Sequence, residues 1–275
     1  MRFAFLANAH LSDLAPVAKR FTAASLAAGP LLDAGLSATG RRDVAARLRR
    51  FNLSPGVILA KLPTKRLLDD LDQSLSLISD AAELGRGISF DTVAIDLVQL
   101  PTEKQAEPVP TESPAPSGLI LPSADDIAKL VGQSTPAAVV TSEGLDALRL
   151  IAALADRMTT RLAIGASLLP TASLAAALQT VDSPMLFRDL DPAASLEDLQ
   201  SDVETTLGSL PPAIHIRATD AHAAGGRSTR TEVGDGDVPW REVIEASEVD
   251  SVLTFAGALT TAVEAKGKLQ SDRDS

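Results

Sequence analysis

Apolar residues recur at steps of three and four along much of this chain, the spacing of one face of an α-helix. Over 11–28, Leu14, Val17, Phe21 and Leu26 predict a helix with Ser12 as cap, Pro16 in its first turn and Gly29-Pro30 at its end. Thr39 to Phe51 reads as a short basic helix that leaves only Val44, Leu48 and Phe51 to pack. From Lys65 to Leu84, Leu67, Leu68, Leu71, Leu75, Ile78 and Ala82 form a stripe, and Gly85-Arg86-Gly87 reads as its stop. Ser142 to Met158 carries the widest apolar face, and Ala172 to Thr180 is helical. Ser195-Leu196-Glu197-Asp198 has the form of a capped start to a helix that Pro211-Pro212 closes. Arg241 to about Lys266 reads as a last helix, with Val243, Ile244, Val252, Phe255, Leu259 and Val263 as its face.

The period falls to two in fewer places. Val93, Ile95 and Leu97 alternate within 88–100 and predict a strand. Gly118–Leu121, Pro136–Thr141 and Ala213–Ala218 are shorter strand candidates, while Arg161–Leu169 fits either period. A helix is expected from Ser123 to Val131. Ser54-Pro55-Gly56 reads as a turn, and Thr219 to Val238 as a loop of small, acidic and glycine residues.

Between Pro101 and Gly118 lie five of the 17 prolines, with Val109 the one large apolar residue, so an extended, solvated linker is expected. The expected organisation is a helical arm over 1–100 closed by a strand, a Pro-rich linker over 101–118, and a mixed core over 119–218. A flexible loop over 219–238 and a C-terminal helix and polar tail over 239–275 complete it. The fold class is then a predominantly α-helical α+β protein; an α/β core over 118–218 is the alternative.

Composition changes this picture little. Aromatics are 3%, with no Tyr and one Trp, so the core must be built from Ala, Leu, Val and Ile. The absence of cysteine removes disulfides, thiolate metal sites and a Cys nucleophile. The apolar start Met1–Ala9 is too short for a secretory leader, and no run approaches membrane-spanning length, so the expected location is the cytoplasm or a larger particle.

Charge is more informative. The chain carries −11, yet Arg41, Arg42, Arg47, Arg49, Arg50, Lys61, Lys65 and Arg66 oppose only Asp43 over 41–66, a local +7. Such a segment either faces an acidic partner protein or is a solvated face; nucleic acid is disfavoured by the overall charge and the shortage of nearby aromatics.

Candidate chemistry is sparse. His10 stands alone, and the seven-residue gap from His215 to His222 does not impose a metal site, so neither metal nor cofactor is expected. Ala224-Gly225-Gly226-Arg227-Ser228-Thr229 lacks the lysine of a phosphate loop. Without a catalytic constellation, the reading is a non-enzymatic structural or adaptor subunit of a larger assembly, of the phage virion, tail or baseplate kind, binding other subunits through 41–66. The alternatives are an enzyme or small-ligand protein with its site in 118–218, and a regulatory scaffold that grips an acidic partner through 41–66.

Overall fold

A computed structural model gives the fold and describes residues 1–7, 14–27, 37–60, 62, 67–96, 99–103, 138–166, 169–224, 227–247 and 250–274. Eight parallel strands close into a barrel. In chain order they are β1 (Arg2–Ala7), β2 (Ala23–Ala27), β3 (Ser54–Ala60), β4 (Thr92–Asp96), β7 (Arg161–Gly165), β8 (Leu186–Leu190), β9 (Ala213–Arg217) and β12 (Val252–Phe255). Each pairs with the next, and β1 closes the ring by pairing with β12 from Arg2–Val252 to Phe5–Phe255.

Helices connect the strands: α1 (Leu14–Ala18), α2 (Ala38–Arg50), α3 (Leu71–Ile88), α4 (Ser142–Met158) and α5 (Thr171–Val181). The short α6 (Leu196–Ser201) and α7 (Val203–Gly208) follow, then α8 (Trp240–Ala246) and α9 (Leu259–Asp274). Two antiparallel pairs lie outside the barrel: β5 (Thr102–Glu103) with β6 (Val139–Val140), and the hairpin β10 (Asp220–Ala224) with β11 (Arg227–Thr231). This is a (β/α)8 barrel.

The predominantly helical α+β expectation is therefore corrected. The helices over 39–51, 142–158 and 172–180 are present, and β4, β7 and β9 stand where strands were expected or left open. The predicted helix over 11–28 is instead α1 followed by β2, and that over 241–266 is interrupted by β12. The turn at Ser54-Pro55-Gly56 opens β3, the leader-like start is β1, and α3 runs through Gly85 and Gly87 to Ile88. The 219–238 loop contains the β10–β11 hairpin. The strand and helix expected at 118–131 and most of the proline-rich run lie outside the described residues.

Packing falls into two shells. Ala4, Ala23, Val57, Ala94, Ala163, Ile214 and Val252 fill the barrel interior, with Leu59 and Phe187 against them. A much larger apolar cluster joins the outer strand faces to the helices. Strands buried on both faces carry continuous apolar runs, because neither side needs polar residues. Among the described residues no helix is long and apolar enough to cross a membrane.

Candidate active site

Polar side chains gather at the carboxyl ends of the barrel strands. Asp96 ends β4, Asp189 lies on β8 with Asp191 just beyond it, His215 and Arg217 lie on β9, and Thr254 on β12. They converge because two residues apart on a strand share a face. His215 and Arg217 thus point the same way, as do Asp189 and Asp191.

Register completes the arrangement. Arg188 pairs with Ala213, but the β8–β9 ladder then slips so that Asp189 pairs with His215. An unbroken ladder would have set Asp189 opposite Ile214. A second slip on the β2–β3 ladder, between Ala24 and Leu26, sets Ser25 beside Val57. Extra residues of this kind re-aim side chains. At Gly56 a Cβ would lie 2.5 Å from Ser25 Oγ, so only glycine leaves room for that hydroxyl.

The two slips bracket one chain of hydrogen bonds. Val57 N–H donates to Ser25 Oγ at 3.2 Å, and Ser25 Oγ lies 3.0 Å from Thr254 Oγ1. Thr254 Oγ1 is 3.0 Å from His215 Nε2, and His215 Nδ1 is 2.8 Å from Asp189 Oδ1. An amide can only donate and a carboxylate can only accept. With a neutral imidazole every link is satisfied when Ser25 donates to Thr254, Thr254 to Nε2, and Nδ1–H to Asp189.

Arg217 ties this chain to the mouth. Its Nε donates to Asp189 at 3.1 Å and its Nη2 pairs with the same carboxylate, while Nη1 donates to Asp96 Oδ2 at 3.0 Å. Burial alone would raise the Asp189 pKa, but His215 and Arg217 outweigh it and hold the carboxyl below the usual range. For Arg217, burial works against the charge, and Asp189 and Asp96 together push its pKa above the ordinary value. Asp191 accepts from Thr219 Oγ1 and from Arg230 Nη2 of the hairpin, each at 2.5 Å.

Of these groups Asp96, Asp191, His215, Arg217, Thr219, Arg230 and Thr254 line a cavity of about 530 Å³, with Leu59 and several alanines completing its wall. That volume suits a small organic ligand, and the carboxyl face of the barrel is where such folds place their chemistry. Two further buried groups are structural. Arg188 donates to the carbonyls of Thr206, Leu207, Ser209 and Pro211; burial lowers its pKa to about 10, which leaves it charged at neutral pH. Asp220 accepts from the backbone of Ala221, Gly234 and Val238 and from Trp240 Nε1, and so clasps the chain beyond β11.

The partner-binding residues expected from charge lie elsewhere. Arg41, Arg42, Arg47, Arg49 and Arg50 sit on α2, outside the barrel, and Lys61, Lys65 and Arg66 are outside the described residues. Of the histidines, His215 is at the site, His222 is half exposed beside Asp237, and His10 lies outside the described residues. Sequence reasoning placed His215 on a strand but missed Asp96, Asp189, Asp191, Arg217 and Thr254. The legible signal was polar residues two apart at the carboxyl ends of apolar strands, as in Ile214-His215-Ile216-Arg217 and Arg188-Asp189-Leu190-Asp191.

No family model matches the sequence, and no curated protein matches it either. Solved structures do resemble it. A xylose isomerase domain protein from Planctomyces limnophilus superposes with a TM-score of 0.67 at 12% identity, over 99% of this chain and 94% of the other. An IOLI protein with a bound zinc atom gives 0.66 at 13%, over 99% and 98%. A 3-keto-D-glucoside 4-epimerase from E. coli gives 0.63 at 13%, over 98% and 99%.

Zinc in one of these structures raises the question of a metal here. Among the described residues no group of three or more His, Asp or Glu is arranged to hold one. Both ring nitrogens of His215 are directed at protein atoms, Arg217 covers Asp189, and Gly165, Ala166 and Ala256 offer no side-chain donor at their strand ends. The described residues do not fit a metal. The expectation of a virion or baseplate subunit is corrected by the barrel, its polar mouth and these neighbours, which favour the alternative of an enzyme or small-ligand protein. What the likeness establishes, at 12–13% identity, is that this chain has the barrel fold of these structures.

Proposed function

We propose that the chain is a barrel enzyme that moves a proton on a small polyhydroxylated carbonyl compound, as an isomerase or epimerase does. One observation carries this reading: two carboxylates, Asp96 at the end of β4 and Asp191 just beyond β8, face a single cavity that Arg217 also lines. One carboxylate takes the proton from the carbon next to the substrate carbonyl. The C–H electron pair becomes the C=C bond of an enediolate, and the carbonyl π pair moves onto oxygen. Arg217, positively charged at every working pH, receives that developing charge. The first residue, now a carboxylic acid, returns that proton to the neighbouring carbon, or the other residue, carrying a proton taken from solvent, delivers it to the opposite face and is left as a carboxylate. The names of the structural neighbours support a sugar as the substrate class.

The test is solvent exchange. The protein is incubated with a panel of pentoses, hexoses and their keto derivatives in D₂O, and the signal of the C–H next to the carbonyl is followed by NMR. Exchange is expected with at least one compound, and Asp96→Asn and Asp191→Asn are each expected to slow it ~10²–10⁴-fold. No exchange across the panel overturns the reading.

A further inference from the structure

We infer that the basic outer face of α2 docks into an acidic groove between α7 and α8 of a second copy of this chain. On α2, Arg42, Ala46, Arg47, Arg49 and Arg50 are exposed, while Val44 and Leu48 are buried toward the barrel. At about 100° per residue the four arginines share one arc of roughly 160°, with the small Ala46 inside it and Asp43 its one acid. Arg41 extends this face toward α3, its stem laid over Gly87.

The face is unpartnered within the chain. Arg149, Arg161, Arg217, Arg230 and Arg241 each hold a carboxylate. Among the described residues none of Arg41, Arg42, Arg47, Arg49 and Arg50 does, although the chain carries −11 and acids are plentiful. Helix stability does not account for the set. Arg47, Arg49 and Arg50 lie in the last turn, where cations suit the helix dipole, but Arg41 lies in the first turn, which holds no acid and where a cation opposes it.

The complementary surface is on the same molecule. A groove of about 570 Å³ between α7 and α8 is lined by Asp202, Glu204, Glu242 and Glu245, with Leu199 and Val203 among its apolar residues and no basic residue among the described ones. Asp202 caps α7 and Glu245 pairs with Arg241, while Glu204 and Glu242 have no ion pair among the described residues. Cations on α2 and uncompensated acids in the groove give matched charge, and like charge elsewhere disfavours other registers between copies.

Topology fixes what such a contact builds. α2 leaves the ring between its second and third strands, and α7 and α8 flank β9, the seventh. Some four to five of the eight strand positions separate the two surfaces, so they lie on opposite sides of the barrel. A chain cannot seat its own α2 in its own groove, and two copies cannot exchange both contacts about a two-fold axis. Each copy gives α2 to one neighbour and its groove to another, so association is head to tail and continues beyond a dimer.

The test does not depend on the substrate reading. The full-length protein is followed by sedimentation velocity from ~5 to ~500 µM in ~20 mM and ~500 mM NaCl, salt levels that leave and remove long-range attraction between exposed charges. Mass is expected to grow with concentration at low salt and to return to that of the monomer at high salt. Arg47→Glu/Arg49→Glu/Arg50→Glu and Glu204→Lys/Glu242→Lys are each expected to weaken association ~10–100-fold, and their equimolar mixture to restore it. Arg149→Glu/Arg157→Glu on α4, which also adds negative charge but away from both surfaces, is expected to associate like wild type. A wild type that stays monomeric at low salt overturns the proposal, whether or not the variants fold; if it then binds poly-L-glutamate, α2 serves a foreign acidic partner instead. A dimer that grows no further, or association that folded α2 and groove variants leave unchanged, overturns it too, as does a mixture of the two that stays monomeric.

Discussion

At the scale of single residues, Asp189 is the most constrained group in the barrel. Its side chain is fully buried, yet it is ionised because Arg217 and His215 more than offset the desolvation that burial imposes. A carboxyl with a depressed folded-state pKa stabilises the fold at pH values above its unfolded pKa, ~3.9. That contribution falls away as pH drops below ~4 and through the folded-state value. Urea melts between pH 7 and pH 3 should show this acid limb, and Asp189→Asn should flatten it while lowering stability at pH 7 by ~3–5 kcal/mol, as Arg217 loses a buried partner. These residues were hard to find from sequence because each short strand carries only one or two polar residues in an otherwise apolar run. His215 drew notice for its type; Asp96, Asp189, Asp191 and Arg217 carried no motif that singled them out. Their meeting depends on barrel closure and on a one-residue slip in the β8–β9 ladder, and neither leaves a mark in composition.

Elements show a different limit. The helices were legible where an amphipathic stripe met solvent, as in α2, α4 and α5, because their outer faces must be polar. Strands were legible only where apolar and polar residues alternated or β-branched residues clustered, as in β4. β2 is Ala-Ala-Ser-Leu-Ala, buried on both faces, and passes for helix by its alanines. β12, only four residues long, was absorbed into a helical pattern on either side of it. Helix ends were obscured too, since four turns into strands use a left-handed residue that is not glycine: Asn52, Ser89, Thr159 and Asp182. The glycines that looked like a stop, Gly85 and Gly87, instead let α3 approach its neighbours; a Cβ at Gly87 would meet Arg41 Cδ at 2.5 Å. Hence Ser89→Gly should raise stability by ~1 kcal/mol by removing a strained φ of 71°. Gly85→Ala should lower it, because its Cβ would lie 3.2 Å from the Phe90 carbonyl and 3.3 Å from Ile58. Thermal melts of the two variants check both signs.

For the molecule as a whole, closure is what the linear pattern concealed. The first and last strands are hydrogen-bonded neighbours, and strands from both sides of the proline-rich run lie side by side, β4 against β7. The hydroxyl bridge between Ser25 on β2 and Thr254 on β12 passes over β1, where Ala4 pairs with Thr254 and Leu6 with Ser25. Removing any barrel strand would open a ladder on both sides. Unfolding should therefore be one transition, with far-UV circular dichroism and the loss of the slowest-exchanging amides in β1 and β9 superimposing in urea. Two separated transitions, one for 1–100 and one for the remainder, would contradict a ring whose halves cannot stand alone.

The clasp around Asp220 gives the protein an optical property. Trp240 is the single tryptophan and there is no tyrosine, so near-ultraviolet absorption and emission arise almost wholly from one indole. That indole is buried and donates its N–H to the Asp220 carboxylate, at the foot of the β10–β11 hairpin that carries Arg230 to Asp191 at the cavity. The chromophore and the ligand-facing arginine are thus mechanically joined through one short hairpin. The emission of the native protein is a single-site signal, and it reports from the edge of the barrel mouth without any label.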